Sequence, residues 1–427
     1  MSKTYKTTIT GIGLFLIMMY VFFRSILLVL VGDFATYIMI IALLIVWGTS
    51  FRYVLKQKNL FQTVGLWGVF GIIIILNNKY LFTSGISFTT IVTVGGIVTS
   101  VFLANSKREW QKFFVKNIKR CVNVHIVATI FFAIFPNIYR RTMLQFYSGA
   151  IQEVLTVQVK DRCVPGLTSH YSTNGIYLAI ALMLYGCEMF NNDKERTRNK
   201  MWFILSLVSL VLTGKRAHLV FSIFAVAMVY ILFKKERSQS KIIRLLFLGI
   251  CASVALVIIV NFVPFLSVTV FRFINMMGEG DLTNGRYYFY DYAIEWFKES
   301  PVFGIGWESF VYRLNKLDGA YVKLFEYMNA HNVYLQVLCE LGIIGFFFFM
   351  SKLIQDFYLT IKRYNWKGMV ESNLKSELSL AFAMHVFFVL YCITGNPLYD
   401  IEIFFPYIIS MSMLYKYIRY DQVKGGN

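Results

Sequence analysis

Charge is scarce in this sequence. Of 427 residues only 15% are Asp, Glu, Lys or Arg, where a soluble domain carries about 25%. Proline is scarce too, with 6 residues, and the 6 cysteines are scattered at 121, 163, 187, 251, 339 and 392 without a CxxC pair. These absences exclude a cytosolic enzyme, a disordered chain and a disulfide-stapled secreted domain. There is no HExxH helix and no GxxxxGK[ST] loop, which argues against ATP-driven transport by this chain alone. No small-x-small cleavage site follows the basic, then apolar, N-terminus, which therefore reads as an uncleaved first span. Only Cys163 falls in an external loop, so an external intramolecular disulfide has no second partner.

Apolar residues are abundant, at 57%, and aromatics reach 18%. Runs suited to crossing a hydrocarbon core of ~30 Å lie near 8–23, 34–50, 61–77, 81–104, 121–136, 171–190, 201–213, 217–233, 245–265, 332–350, 378–394 and 402–416. The chain thus reads as an all-α polytopic membrane protein, one membrane domain over 1–427 with about 12 transmembrane helices. Twelve crossings put both termini on one side. Connections 51–60, 105–120, 191–200, 234–244 and 351–377, with the termini, hold the larger share of Lys and Arg. The positive-inside rule makes that side cytoplasmic. The net charge of +19 is then juxtamembrane, where it meets anionic headgroups, and implies no nucleic-acid partner. Lys107, Arg108, Lys112, Lys116, Lys119 and Arg120, interleaved with Trp110, Phe113 and Phe114, read as an interfacial amphipathic helix.

Two external segments are long. The loop at 137–170 carries Arg140, Arg141, Lys160 and Arg162. The loop at 266–331 spans about 65 residues, and a connection of that length is usually functional. Within it Asn284-Gly285 marks a turn, and 286–299 reads as a helix laid along the interface, ended by Pro301. Gly304-Ile305-Gly306 gives a tight turn before a second short helix near 307–316. His125 and His385 sit in apolar runs as core residues, and Glu188 reads as solvated near a cytoplasmic end. Glu340, about two turns inside a span, is a costly carboxylate of the kind that is often functional, and it either pairs with an Arg or helps hold the external loop.

The motifs in this region carry a resemblance. Arg286, ten residues before Trp296-Phe297, is followed by Ser300-Pro301-Val302-Phe303-Gly304-Ile305-Gly306, then His331-Asn332-Val333-Tyr334-Leu335-Gln336 and Glu340-Leu341-Gly342-Ile343-Ile344-Gly345. Upstream stands Thr213-Gly214-Lys215-Arg216 at an external hairpin. Together these resemble the signature of the O-antigen ligase/polymerase family, with Lys215 where a Ser is usual; the match covers about 212–220 and 284–346.

The resemblance implies a membrane glycosyltransferase of the C superfamily in the bacterial cytoplasmic (inner) membrane. Its substrates would be a polyprenyl-pyrophosphate-linked oligosaccharide donor and acceptor, and membrane lipids and other glycan-assembly proteins are candidate partners. Pyrophosphate is a good leaving group that needs charge neutralisation more than protonation, a task for Arg216 and Arg286 with Lys215 beside them. The acceptor hydroxyl needs a base, and His331, with a reference pKa of ~6.5, suits neutral pH. Asn332 either orients that His or caps the tenth span; Gly304, Gly306 and Glu340 support the loop. Read without the motif, the Arg residues are snorkelling anchors and His331 is an interfacial structural residue.

No metal and no cofactor is expected. The first external loop offers only Asp33, and the paired acids Glu279-Gly280-Asp281 and Asp400-Ile401-Glu402 lie elsewhere. The motifs do not separate a polymerase from a ligase; the long aromatic loop inclines the reading to a polymerase of a capsular or O-antigen-like glycan. A flippase for lipid-linked sugars would show repeated halves and mid-membrane charges, and no internal repeat is visible. A non-catalytic scaffold is the third class.

Overall fold

A computed structural model describes residues 2–54, 61–79, 87–106, 109–233, 286–317, 328–364 and 372–424. The helices are α1 (Ser2–Val31), α2 (Phe34–Val54), α3 (Phe61–Leu76), α4 (Phe88–Asn105) and α5 (Gln111–Ile134). Three short helices follow, α6 (Pro136–Arg141), α7 (Met143–Phe146) and α8 (Gly149–Lys160). Next come α9 (Tyr171–Asn191), α10 (Arg196–Leu212), α11 (Arg216–Phe233), α12 (Tyr287–Glu299) and α13 (Ser309–Leu314). The last three are α14 (Val333–Tyr364), α15 (Ser372–Tyr391) and α16 (Ile401–Lys424). Among the described residues 7 helices (α1, α2, α4, α5, α9, α11 and α14) are long and apolar enough to cross a membrane. The protein is an all-α polytopic membrane protein. Each expected span has its helix except the ninth, 245–265, which lies outside the described residues.

At the centre stands α9. Every residue from Asn174 to Glu188 is buried, as suits a helix apolar on all sides. It packs against α5, α10, α11, α15 and α16. Around that group α16 lies on α4, α14 on α3, and α2 on α1 and α4. A kink at Phe23 in α1 frees backbone carbonyls inside the bundle. Tyr177 of α9 donates to Val21 O, and His125 Nε2 lies 2.9 Å from Phe22 O. The buried His125 and His385 are thus core residues, as expected.

Cross-helix bonds define two ends. At one, Val164 N–H donates to Leu212 O at 3.2 Å, Val333 N–H to Cys392 O at 2.8 Å, and Arg24 pairs with Glu402 at 3.2 Å. At the other, Tyr364 OH donates to Phe233 O at 3.1 Å and Lys416 Nζ to Gln111 Oε1 at 3.0 Å.

The structure corrects three sequence expectations, and in each a charged side chain finds a partner within the bundle. Helix α5 begins at Gln111, so the described part of the supposed interfacial helix forms its first turns; Trp110 and Phe114 are 1% exposed and belong to the core. Helix α14 runs on to Tyr364, so 351–364 of the expected cytoplasmic connection 351–377 is helical. There Lys352 and Asp356 are fully buried and paired at 2.6 Å, with Tyr415 OH donating to the same carboxylate at 2.6 Å. Glu188 is not solvated; it is buried against Lys119 of α5.

Candidate functional site

The site is built on a broken helix. At Gly342, φ +63°, α14 changes direction, which strips backbone partners from both sides of the break. The segment after α12 replaces them. Ile305 N–H donates to Cys339 O at 3.0 Å and Gly306 N–H to Glu340 O at 2.9 Å, while Pro301 O accepts from Ile343 N–H at 2.9 Å. Gly304, φ +76°, approaches so closely that a methyl group there would collide with the Glu340 carbonyl, and one on Gly342 with Val302 O. Asn77, just past α3, donates to Phe303 O and accepts from Trp307 N–H. The glycine turn thus serves to dock one loop onto the break.

A small second core fixes this arrangement. Phe289, Ala293 and Trp296 repeat at helical spacing along α12 and pack with Ile305, Phe310, Leu314, Ala330 and Cys339. The expected helices at 286–299 and 307–316 appear as α12 and α13, with Arg286 at the N-cap of the first. Residues 266–285 and 318–327 of the loop lie outside the described residues.

Glu340 holds the loop. Its Oε1 accepts from Phe310 N–H and Gln336 Nε2, each at 3.2 Å, and its Oε2 from Tyr399 OH at 3.0 Å. Gln336 Oε1 in turn accepts from Ala330 N–H at 3.0 Å. No Arg partners Glu340 among the described residues. Of the alternatives for Asn332, the structure shows the cap: its Oδ1 accepts from Leu335 N–H at 3.1 Å, one turn into α14.

The residue that touches His331 is Asn396, whose side-chain amide lies 3.2 Å from Nδ1. His331 itself has φ +53°, a conformation an L-residue adopts at a cost of about 1–2 kcal/mol. Arg286 Nη1 donates to Thr394 O at 2.7 Å. The connection 392–400 between α15 and α16 therefore holds Arg286 through Thr394, His331 through Asn396 and Glu340 through Tyr399. Sequence reasoning took from this connection only the Asp400/Glu402 spacing. The signal was there in Gly395-Asn396-Pro397, a turn on the same side as 266–331.

Lys215 lies in the hairpin between α10 and α11, its Nζ 4.8 Å from the Tyr171 ring centroid. Burial, then the Arg286 charge, pushes it down to about 8. Burial, then Arg286 and Lys215, pushes His331 down to about 3, so the imidazole is neutral. No acid among the described residues pairs with Arg286 or Lys215. Arg216, half-buried, opens α11 next to Lys215 in the chain. The cations His331 senses are Arg286 and Lys215, so Lys215 belongs to the cluster. Glu402 is engaged by Arg24, Glu279 and Asp281 lie outside the described residues, and among those described no three His, Cys, Asp or Glu side chains gather as a metal site.

No curated protein matches the chain. A family model does, over the stretch from α10 into α14 that carries Lys215, Arg216, Arg286, Gly304, Gly306, His331, Asn332 and Glu340. Residues 201–350 match the O-antigen ligase model, and the match supports assigning the chain to the O-antigen ligase/polymerase family.

Proposed function

We propose that this protein polymerises polyprenyl-pyrophosphate-linked oligosaccharide repeats into a capsular or O-antigen-like polysaccharide at the external face of the bacterial cytoplasmic membrane. The family match supports a membrane enzyme of glycan assembly acting on lipid-linked substrates. The observation that supports a pyrophosphate donor is the convergence of Arg286 and Lys215, two cations that no carboxylate among the described residues pairs with, on a neutral His331; a ligase would share that donor site. Two like charges held together in a partly buried place are stabilised by an anion of matching charge.

In this reading the acceptor hydroxyl oxygen attacks the anomeric carbon of the donor while the bond from that carbon to the pyrophosphate oxygen breaks. Arg286, Lys215 and Arg216 take up the charge on the departing pyrophosphate. The hydroxyl proton passes to His331 Nε2. The fixed cations supply the charge a divalent metal would bring, so the reaction needs none. Tautomer matters here. Nε2 is bare when Asn396 turns its carbonyl toward Nδ1–H, and the two ends of an amide are alike in shape.

Purified protein given lipid-linked repeats and no other enzyme should lengthen the glycan. Transfer only to a different acceptor would make it a ligase. Unchanged chain length would remove the polymerase reading in favour of a flippase or scaffold.

A further inference from the structure

Beside Lys215 stands a second histidine that the scheme above does not use. His170 precedes α9, and its Nδ1 accepts a hydrogen bond from Ser172 N–H at 3.0 Å. A backbone N–H only donates, so Nδ1 is bare and the ring proton resides on Nε2. This tautomer is dictated by the backbone. The segment is held firmly: Thr168 Oγ1 donates to His170 O at 2.7 Å, and Tyr171 N–H donates to Gln158 Oε1 at 3.0 Å. The imidazole lies 4.6 Å from the Tyr171 ring, the same ring that Lys215 Nζ approaches. Among the described residues Nε2–H has no acceptor.

Burial, then the Lys215 charge, pushes His170 down to about 4. At neutral pH it offers a donor without adding charge. That suits a place beside Lys215, where a further positive charge would raise the repulsion. A neutral N–H facing an anion still makes a charge-assisted bond.

We propose that His170 is a further binding residue for the pyrophosphate of the lipid-linked donor, which it contacts through Nε2–H. The proposal rests on the reading of Lys215 and Arg286 as the pyrophosphate site. The competing role is purely structural, since His170 also caps α9.

His170→Asn separates the two, because Asn is among the favoured N-cap residues and retains an acceptor for Ser172 N–H while lacking Nε2. Farnesyl pyrophosphate binding to the purified full chain in detergent is the measurement, with farnesol as the probe lacking the anion. His170→Asn should weaken farnesyl pyrophosphate binding about tenfold, the loss of one hydrogen bond to a charged group, with farnesol binding and Tm unchanged. Arg286→Ala should weaken it further. Unchanged affinity in His170→Asn beside a loss in Arg286→Ala overturns the role of His170 alone; unchanged affinity in both overturns the pyrophosphate site. ¹⁵N-histidine spectra of the unmutated protein give an independent reading: farnesyl pyrophosphate should shift the His170 Nε2 resonance, and an unmoved resonance overturns the proposal.

Discussion

His331 is depressed to about 3 by burial and by the Arg286 and Lys215 charges, and the sign of that shift shapes its pH behaviour. In the free protein the imidazole is neutral throughout pH 5–8, so kcat/KM for the donor should show no acid limb from His331 there. Bound pyrophosphate offsets both cations and raises the basicity, so an acid limb should appear in kcat at a higher pH than in kcat/KM. His331→Ala should lower turnover roughly 10²–10⁴-fold, the contribution of a positioned base, and His331→Gln nearly as much. Substantial turnover in His331→Gln with an intact acid limb would remove the base assignment. Arg286→Ala should abolish elongation at normal protein abundance, and Arg286→Lys restore only part, since a point charge does not reproduce bidentate contacts. Lys215, held down at about 8, loses its proton as pH rises through that value, so donor KM should climb above pH 8. Lys215→Arg, which stays charged, should flatten that climb; a persistent rise would exonerate Lys215. The candidate base and cations were legible because a motif names residue types. The partner of His331 was not, since Asn332, its neighbour in sequence, turned out to cap α14 while Asn396 reached it from another connection.

At the scale of elements the informative unit is the break in α14. The sequence displays the turn Gly304-Ile305-Gly306 and, separately, the small residue Gly342, but nothing local pairs them. Their connection is a set of backbone bonds between segments more than thirty residues apart. Hydropathy does not register such bonds, and for the same reason it ended α14 before the buried Lys352–Asp356 pair. Both glycines have positive φ and face backbone at collision distance. Gly304→Ala and Gly342→Ala should each cost about 2–4 kcal/mol, combining left-handed strain with overpacking. Gly48, in α2, meets nothing within 4 Å, and Gly48→Ala should be neutral or slightly stabilising. Unfolding of the three variants in detergent checks this: equal stabilities would mean that the loop does not dock on the break.

For the whole molecule, orientation is one binary choice, because cross-helix bonds tie the connections into two sets. Residues 164–171, 212–215, 286–310, 331–340 and 392–402 share the site end; Gln111, Asn191, Phe233 and Tyr364 share the other. The basic residues Lys194, Arg196, Arg198 and Lys200 flank the start of α10 at that other end, which the positive-inside rule assigns to the cytoplasm. Glu188 is already committed to Lys119 there, and acids count little in setting topology. Under the proposed reading, a lipid pyrophosphate presented outside the membrane would then meet Arg286, Lys215 and His331. A reporter inserted after Asn192 should be cytoplasmic, and one inserted near residue 318 external, as should a labelled cysteine at exposed Gly149. Because the ends are coupled, any one of these placements fixes the others. A cytoplasmic signal from residue 318 would leave the fold standing, yet it would move the cationic cluster to the wrong leaflet for an externally presented donor, and the polymerase reading would fail on topology alone.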